Sequence, residues 1–263
     1  SIKDNSFLLT LLDGLSTKED QFLQTLNYAT YGIPHFGGSV GDDFNLTITH
    51  IFYQNKFYQQ AAIVILFNTK CSFEVFNCNH IKRPIEKLVI TEADIESRTA
   101  YEFNAKPAAV EYAKLLNIDV SDLTPEVFSL HPLAVKVNEQ YFIRAIQKLN
   151  IDDLSLIFYC AIDVEVLVTV VEMDDIFPSL NNKLESITQR LGKPELVLTC
   201  ECFFRRIEIK QKNLQDQAMK LYAKYNVVGF NGYAEHINGI HLNQTFAGVF
   251  IANNDINEDK LND

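Results

Sequence analysis

The chain has 263 residues, of which 47% are hydrophobic and 22% charged, so it can form two modest domains with buried cores. Its net charge of -11 disfavours broad contact with nucleic acid or anionic lipid, because both require a basic protein face. No apolar run approaches the roughly 20 residues of a membrane helix, and the start lacks a signal-peptide pattern. The five cysteines are odd in number and mostly lie in strand-like segments, as in a reducing compartment. We therefore expect a cytoplasmic protein that binds neither nucleic acid nor membrane.

The first predicted element is a strand buried on both faces, because residues 7–12 form a continuous apolar run without alternation. Only six residues precede this run, so we expect neighbouring elements of its sheet to be encoded upstream. The strand ends at the turn signal Asp13-Gly14. Ser16 and Thr17 can then cap a helix over residues 18–28, which carries acidic residues in its first turn.

Strands and a few helices follow without a regular alternation of the two. The weakly periodic stretch 117–132 is predicted to separate a first domain, residues 1–120, from a second, residues 121–252, and residues 253–263 are predicted to form a polar, disordered tail. This pattern favours the α+β class, with mixed or antiparallel sheets covered by helices. Strands are predicted at 46–53, 60–67, 73–77, 88–92, 133–137, 141–149, 154–160, 164–171, 195–203, 227–233 and 244–252, and helices at 108–116, 177–191 and 213–225.

The segment Gly37-Gly38-Ser39-Val40-Gly41 allows several interpretations. A phosphate-binding loop is disfavoured because neither Gly-Lys-Ser/Thr nor a helix N-terminus follows it. The segment formally matches the Gly-x-Ser-x-Gly nucleophile motif, but a strand-like run follows instead of a helix, which disfavours a hydrolase. A small-ligand site lined by backbone amides stays open. Close backbone packing or a tight turn is the favoured interpretation.

Three further patterns leave a binding role open. Cys200 and Cys202 share one face of a predicted strand and could hold a soft metal, although buried thiols are favoured because no second ligand pair has zinc spacing. None of the six histidines forms His-x-x-x-His, but a single histidine suffices as an axial haem ligand in an apolar pocket. Arg205-Arg206 could clamp a carboxylate or propionate, although a solvated pair matched by nearby glutamates is favoured.

Several separated motifs, in one order along the chain, resemble a known family. Residues 12–16 (Leu-Asp-Gly-Leu-Ser) and 37–42 resemble the later half of the FIST N-terminal domain. Residues 155–163, 200–206 and 227–245 resemble the FIST C-terminal domain. The chain is thus similar to FIST sensory proteins, and most of all to the haem-based nitric-oxide sensors called NosP. Two departures are that the first part of the family's N-terminal domain has no counterpart, and that the family's Tyr-Gly-Glu is replaced by Tyr-Ala-Glu at 233–235.

The resemblance implies a cytoplasmic signal-transduction protein with two FIST subdomains and no enzymatic activity. In NosP-type members the ligand is nitric oxide on haem, and the candidate cofactor-binding residues are His241, His131, His80, Arg205 and Arg206. His241 is the first candidate for the haem iron, because it lies in the densest motif.

The implied partner is a histidine kinase, or a diguanylate cyclase or phosphodiesterase of cyclic-di-GMP signalling. A second copy of the chain, forming a homodimer, is a further candidate partner. The alternative function is a haem-free FIST module that senses a small organic ligand such as an amino acid, with Arg205 or Arg206 pairing its carboxylate.

Overall fold

The computed structural model describes residues 4–43, 45–137 and 140–253. These residues form two compact units that interleave along the chain. The first unit contains the described residues up to Asn79, Asp175–His241 and those from Thr245 onward, and the second contains His80–Asp174 and Leu242–Gln244. The predicted domain boundary at residue 120 therefore lies inside the second unit. The predicted tail lies, apart from Asn253, outside the described residues.

The predicted α+β class is confirmed, because the described residues contain both helices and mixed or antiparallel sheets. None of the described helices is both long and apolar enough to cross a membrane. The helices are α1 Glu19–Ala29, α2 Ala108–Leu116, α3 Pro125–Leu130, α4 Ile176–Leu191, α5 Phe203–Gln211 and α6 Gln215–Lys224, with a 3-10 turn at Val120–Asp122. The strands are β1 Ser6–Asp13, β2 His35–Val40, β3 Ile51–Tyr53, β4 Lys56–Tyr58, β5 Ala62–Asn68, β6 Phe73–Cys78, β7 Ile81–Asp94, β8 Thr99–Phe103, β9 Lys106–Pro107, β10 Leu133–Val137, β11 Gln140–Arg144, β12 Ile146–Asn150, β13 Ser155–Phe158, β14 Leu167–Met173, β15 Pro194–Cys202, β16 Val227–Gly232, β17 Ala234–Ile237, β18 Ile240–Leu242 and β19 Phe246–Ala252.

In the first unit, a five-stranded sheet ordered β18-β17-β2-β1-β5 packs on a four-stranded sheet ordered β16-β15-β19-β6. Phe7, Leu9 and Phe36 of the first sheet form a buried cluster with Val249 of the second. β1 pairs in parallel with β2 and antiparallel with β5, and seven of its eight residues are buried. The prediction of an N-terminal strand buried on both faces is therefore confirmed.

Helices α4 and α6 cover the other face of the four-stranded sheet. Leu184 of α4 and Leu221 of α6 pack in one buried cluster with Phe246 and Phe250 of β19. These two phenylalanines alternate along β19 with Val249, which belongs to the cluster between the sheets, so β19 is apolar on both faces. That double burial explains the unbroken apolar run that β19 has in the sequence.

The second unit is one eight-stranded sheet in which β11-β10-β14-β7-β8-β13-β12 are neighbours and β9 pairs with β8. Helix α2 packs its buried Ala109 and Tyr112 against this sheet in a cluster that includes Phe103 and Leu156. The Tyr112 hydroxyl donates to the carbonyl of His131 at 2.6 Å. The buried aromatic ring therefore keeps a partner for its polar end, as burial of a tyrosine requires.

Strand β2 is built on close backbone packing between the two sheets of the first unit. Gly38 lies against Cys200 of β15, and a Cβ atom at residue 38 would overlap the Cys200 sulfur. The glycine-rich segment is thus a strand in which side chains are absent where the facing sheet approaches most closely. The favoured interpretation of this segment as close packing is confirmed.

Strands β17 and β18 form a hairpin whose turn is Asn238-Gly239. Both turn residues have positive φ, 46° and 86°, as a two-residue hairpin turn with asparagine followed by glycine requires. Ala234, which departs from the family's glycine, lies in β17 and is absent from the residues with positive φ in the described chain. This position therefore accepts a Cβ atom without backbone strain.

Several predictions of secondary structure are wrong. The strand predicted at 46–53 covers only Ile51–Tyr53, and the strand predicted at 141–149 is interrupted at Ala145 between β11 and β12. The stretch 117–132 contains α3, where Thr124 caps the helix and Pro125 begins it. The residues after Cys202 form α5 directly, without a connecting loop and without a side-chain cap that could have signalled its start. Strand β7 has 14 residues, far more than the five predicted, because its residues 82–87 are all exposed and include four charged residues and a proline, so they lack the apolar alternation that reveals a strand.

We predict that Gly38→Ala lowers the free energy of unfolding by about 1–3 kcal/mol, because the added methyl group collides with the Cys200 sulfur. In the double variant with Cys200→Ala, the sulfur is absent and the methyl group of residue 38 occupies part of its space. The decrease in the free energy of unfolding should therefore be smaller than the sum of the decreases in the two single variants. Denaturant titration measures the free energy of unfolding of the two single variants and of the double variant. Combining Gly38→Ala with Cys71→Ala is the control and should be additive; additivity in the Cys200 pair would contradict the packing.

Candidate functional site

The structure distributes the five predicted site residues over both units. His241 lies on β18, and Arg205 and Arg206 lie on α5; all three belong to the first unit. His80 precedes β7 and His131 follows α3, so both belong to the second unit.

Arg205 is part of a buried ion pair inside the first unit. Its side chain is only 1% exposed, and its Nε donates to Glu201 Oε1 at 3.0 Å. The Tyr222 hydroxyl donates to the same carboxylate at 2.9 Å, and burial raises the pKa of Tyr222 far above its ordinary value. Using Arg205 as a ligand clamp would leave Glu201 as a buried charge without its cation, which is costly.

Arg206, in contrast, lies on the surface. Its guanidinium forms an ion pair with Asp43, both side chains are substantially exposed, and it stacks over the Phe203 ring at 5.2 Å. A surface pair of this kind contributes little to stability and can be exchanged for another anion. The two arginines therefore do not form one clamp.

His236 is fully buried, and both of its ring nitrogens are paired with hydroxyl groups. Thr10 Oγ1 lies 3.0 Å from Nδ1, and Ser39 Oγ lies 3.0 Å from Nε2. Because the Thr10 hydroxyl donates to the Phe36 carbonyl at 3.3 Å, it can only accept from Nδ1–H. The Ser39 hydroxyl then donates to Nε2. Burial, followed by the neighbouring His241 and His35, holds the pKa of His236 well below its ordinary value.

The Ser39–His236 pair is produced by strand register, which the sequence does not reveal. β17 runs antiparallel to β2 with Ala234 opposite Ser39 and His236 opposite Gly37, so residues 197 positions apart meet. A serine beside a histidine is the arrangement of an activated nucleophile. Here Ser39 is 1% exposed and the second nitrogen faces a threonine where a catalytic histidine would have an orienting carboxylate. The pair is therefore closed to a substrate in this conformation.

His241 lies beside this pair and contacts a carboxylate. Its Nδ1 is 3.2 Å from Asp20 Oδ2, and its ring centroid is 5.7 Å from that of His236. A carboxylate on one ring nitrogen is common behind a histidine that binds a metal through the other. A haem also needs an apolar slot beside that nitrogen. The His241 side chain is only 1% exposed and packs between polar neighbours, so the residues around it do not fit a haem.

The two histidines of the second unit are also enclosed or partly enclosed. His80 is 1% exposed, and its carbonyl accepts a hydrogen bond from the Asp174 amide at 2.7 Å. Burial lowers the pKa of His131, although the Glu172 carboxylate opposes that shift. Among the described residues, Nδ1 of His131 is buried and makes no hydrogen bond. These features favour a neutral imidazole at His131.

Glu235 is a buried acid that the sequence analysis did not single out. Its Oε2 accepts hydrogen bonds from the amide of Thr245 at 2.9 Å and from its hydroxyl at 2.7 Å. Burial nevertheless raises the pKa of Glu235 to about 8. The thiols of Cys200 and Cys202 are reduced and fully buried, and burial together with Glu235 raises the pKa of Cys200 well above its ordinary value. Glutamate and thiol are thus held protonated at neutral pH.

The second unit contains an open pocket of about 470 Å³ at the edge formed by β10, β11 and β14. Ile162, Val135 and Leu167 contribute to its apolar wall. Arg144 and Asp163 add opposite charges to the same pocket, which Lys136 also lines. A mostly apolar pocket with a few charged groups is the usual form of a small-molecule site.

Most of this pocket could not be predicted from the amino-acid sequence. Arg144 falls in a strand-like run where a single arginine gives no signal of function. Residues 161–163, however, end the segment 155–163 that resembles the FIST C-terminal domain, and all three line the pocket. A resembling motif could therefore have pointed to one side of the pocket, whereas its other side requires the register of β10 with β11 and β14.

Comparison with protein families gives two matches that together span most of the chain. The model of the FIST N domain matches residues 2–106, and that of the FIST C domain matches residues 108–238. The two matches meet near residue 107, whereas the predicted boundary was at residue 120. A search of curated proteins found no match, and a search of solved structures found none either.

Glu235 predicts a specific dependence of stability on pH. Between its ordinary pKa of 4.5 and about 8, the folded chain holds a proton that the unfolded chain releases, so the free energy of unfolding falls as the pH rises. The slope from this group is at most about 1.4 kcal/mol per pH unit. Glu235→Gln cannot ionise, so its free energy of unfolding should fall less steeply with pH than that of the wild type.

Denaturant titrations of both proteins from pH 5 to pH 8 measure this difference. The exposed Glu96→Gln is the control, and its profile should run parallel to that of the wild type. A Glu235→Gln profile that is also parallel would show that the buried carboxyl does not titrate in this range.

Proposed function

The chain belongs to the FIST family, whose domains are signal-transduction sensor domains, and from this premise we infer that it senses a small organic ligand carrying a carboxylate in the pocket of its second unit. The observation that carries this proposal is the combination of Arg144, Lys136 and Asp163 with an apolar wall in one 470 Å³ pocket. Nine of the ten residues that line it fall within the match to the FIST C domain.

The chemistry of the pocket favours a zwitterion over a simple fatty acid. Arginine binds a carboxylate through two parallel hydrogen bonds, and Arg144 is half-buried, where such a bond is less screened by water. Asp163 adds an acceptor that suits an ammonium group. Ile162, Val135 and Val166 offer apolar surface to a side chain. An apolar amino acid presents all three of these features.

The same pocket suggests how binding could be reported to a partner. The lining residues Val135, Lys136 and Val137 belong to β10, and Arg144 belongs to β11, its hairpin partner. A ligand that binds one arrangement of this hairpin more tightly shifts its population toward that arrangement. We propose that the partner is a histidine kinase, or a diguanylate cyclase or phosphodiesterase, that contacts the hairpin in one arrangement only.

Haem-based sensing of nitric oxide is the competing proposal, which the likeness to NosP supports. The feature in its favour is the Asp20 carboxylate on Nδ1 of His241. The enclosure of the ring stands against it. The absorption spectrum of protein expressed with a haem precursor separates the two: a Soret band that His241→Ala alters would favour haem.

We predict that an amino acid with an apolar side chain raises the melting temperature of the chain without added iron. A ligand at about 100 times its Kd stabilises the folded state by about 2.7 kcal/mol, which corresponds to several degrees. Arg144→Lys should weaken this effect and Arg144→Ala should abolish it, because the bidentate carboxylate contact is lost.

A thermal-shift series over the proteinogenic amino acids, each at about 10 mM, performs this test. Lys148→Ala, an exposed change on β12 of the same unit that is not part of the pocket, should respond like the wild type. Circular dichroism verifies that each variant is folded. An unchanged shift in Arg144→Ala, or no shift with any amino acid, would contradict the proposal.

A further inference from the structure

Strand β5 is the end strand of the five-stranded sheet in the first unit. It is bonded to β1 on one side, and it is the last strand in the order of that sheet among the described residues. Its sequence, Ala-Ile-Val-Ile-Leu-Phe-Asn over 62–68, has no charge and no proline. Natural edge strands are commonly protected by lysine, proline or a bulge, because an open edge pairs readily with another strand. β5 has none of these within its seven residues.

The hydrogen bonds to β1 fix which residues point to the open edge. The Asp13 amide donates to the carbonyl of Ala61, and the Thr69 amide donates to the carbonyl of Asn5. In an antiparallel pair the bonded residues alternate, so the odd-numbered residues of β5 face β1. The even-numbered residues therefore direct their amides and carbonyls outward: Ala62, Val64, Leu66 and Asn68.

The apolar side chains of β5 are exposed on both faces of the strand. Leu66 is 57% exposed, and Val64, Ile65 and Phe67 are each at least 36% exposed. The preceding hairpin of β3 and β4 carries further exposed aromatic residues: Phe52, Tyr53, Phe57 and Tyr58. A monomeric protein seldom exposes so many large apolar groups in one short segment, so a partner surface is indicated.

Charge favours a second copy of this chain as the partner. Residues 44–73 contain two lysines and no carboxylate, although the whole chain has a net charge of -11. Two acidic copies repel each other, and this repulsion is weakest where both surfaces lack carboxylates. An uncharged strand is also complementary to itself, as a two-fold symmetric interface requires.

We propose that two copies of the chain associate through antiparallel pairing of β5 with β5 of the second copy. The register that pairs all seven residues places Ile65 opposite Ile65 of the second copy on the two-fold axis. Val64 of each copy then faces Leu66 of the other copy, and Ala62 of each copy faces Asn68 of the other. These even-numbered pairs are the hydrogen-bonded ones, because their amides and carbonyls point outward. Each sheet thereby continues into the other, as in strand addition.

A cysteine scan tests this register. Ile65→Cys, in a Cys71→Ser background, brings two thiols together at a non-hydrogen-bonded pair, where the Cα atoms are about 4.5 Å apart and a disulfide can form. We expect mild oxidation to convert most of this variant to a covalent dimer on a non-reducing gel. Val64→Cys is the matched control, because residue 64 faces residue 66 and should link much less. Equal linking of both variants, or linking of neither, would overturn the register.

The oligomeric state tests the interface itself. Light scattering should give about twice the monomer mass of 30.0 kDa for the wild-type chain. Leu66→Lys places a charge on the edge and should give the monomer mass with an unchanged circular dichroism spectrum. Val228→Lys changes an exposed residue of the edge strand β16 and should stay dimeric. A monomeric wild type, assemblies larger than two copies, or a dimeric Leu66→Lys would each overturn the proposal.

Discussion

The close approach of β2 to its neighbours is the constraint on which the first unit depends. Gly38 leaves space for the Cys200 sulfur of the facing sheet, so the Cys200 side chain packs directly against the β2 backbone at that point. β17 is then held against β2 in a register that brings His236 between Thr10 and Ser39. Burying an imidazole costs free energy unless its nitrogens are paired, and this register provides partners for both nitrogens of His236.

The C-terminal motif 227–245 and the pocket that we propose as the ligand site serve different purposes. The run 227–245 supplies the buried polar groups of the first unit, among them His236, Glu235 and Thr245. Buried polar groups cost free energy unless each finds a hydrogen-bond partner. These groups therefore favour one arrangement of the strands, and they do not form a ligand-binding site. The pocket in the second unit has charged side chains that solvent can reach, as ligand recognition requires.

Much of the fold could be predicted because local signals were strong. The apolar run of β1 and the helix predicted at 177–191 each combine residue type with spacing, and the structure confirms them. Helix α5 could not be predicted from its start, since it follows β15 without a cap. The candidate site was harder still. The Ser39–His236 pair and the pocket around Arg144 depend on register between strands, which no local pattern records.

The ionisation and tautomer of His236 provide the most direct test of the central constraint. Nitrogen-15 NMR of imidazole-labelled protein, with His236→Gln to assign the signals, distinguishes the two neutral tautomers from the cation. The structure predicts a neutral ring with the proton on Nδ1, donated to Thr10, and a ring that stays neutral as the pH falls through the ordinary histidine pKa of 6.5. A ring that protonates near the ordinary pKa of 6.5, or that carries its proton on Nε2, would contradict the packing of β17 on β2.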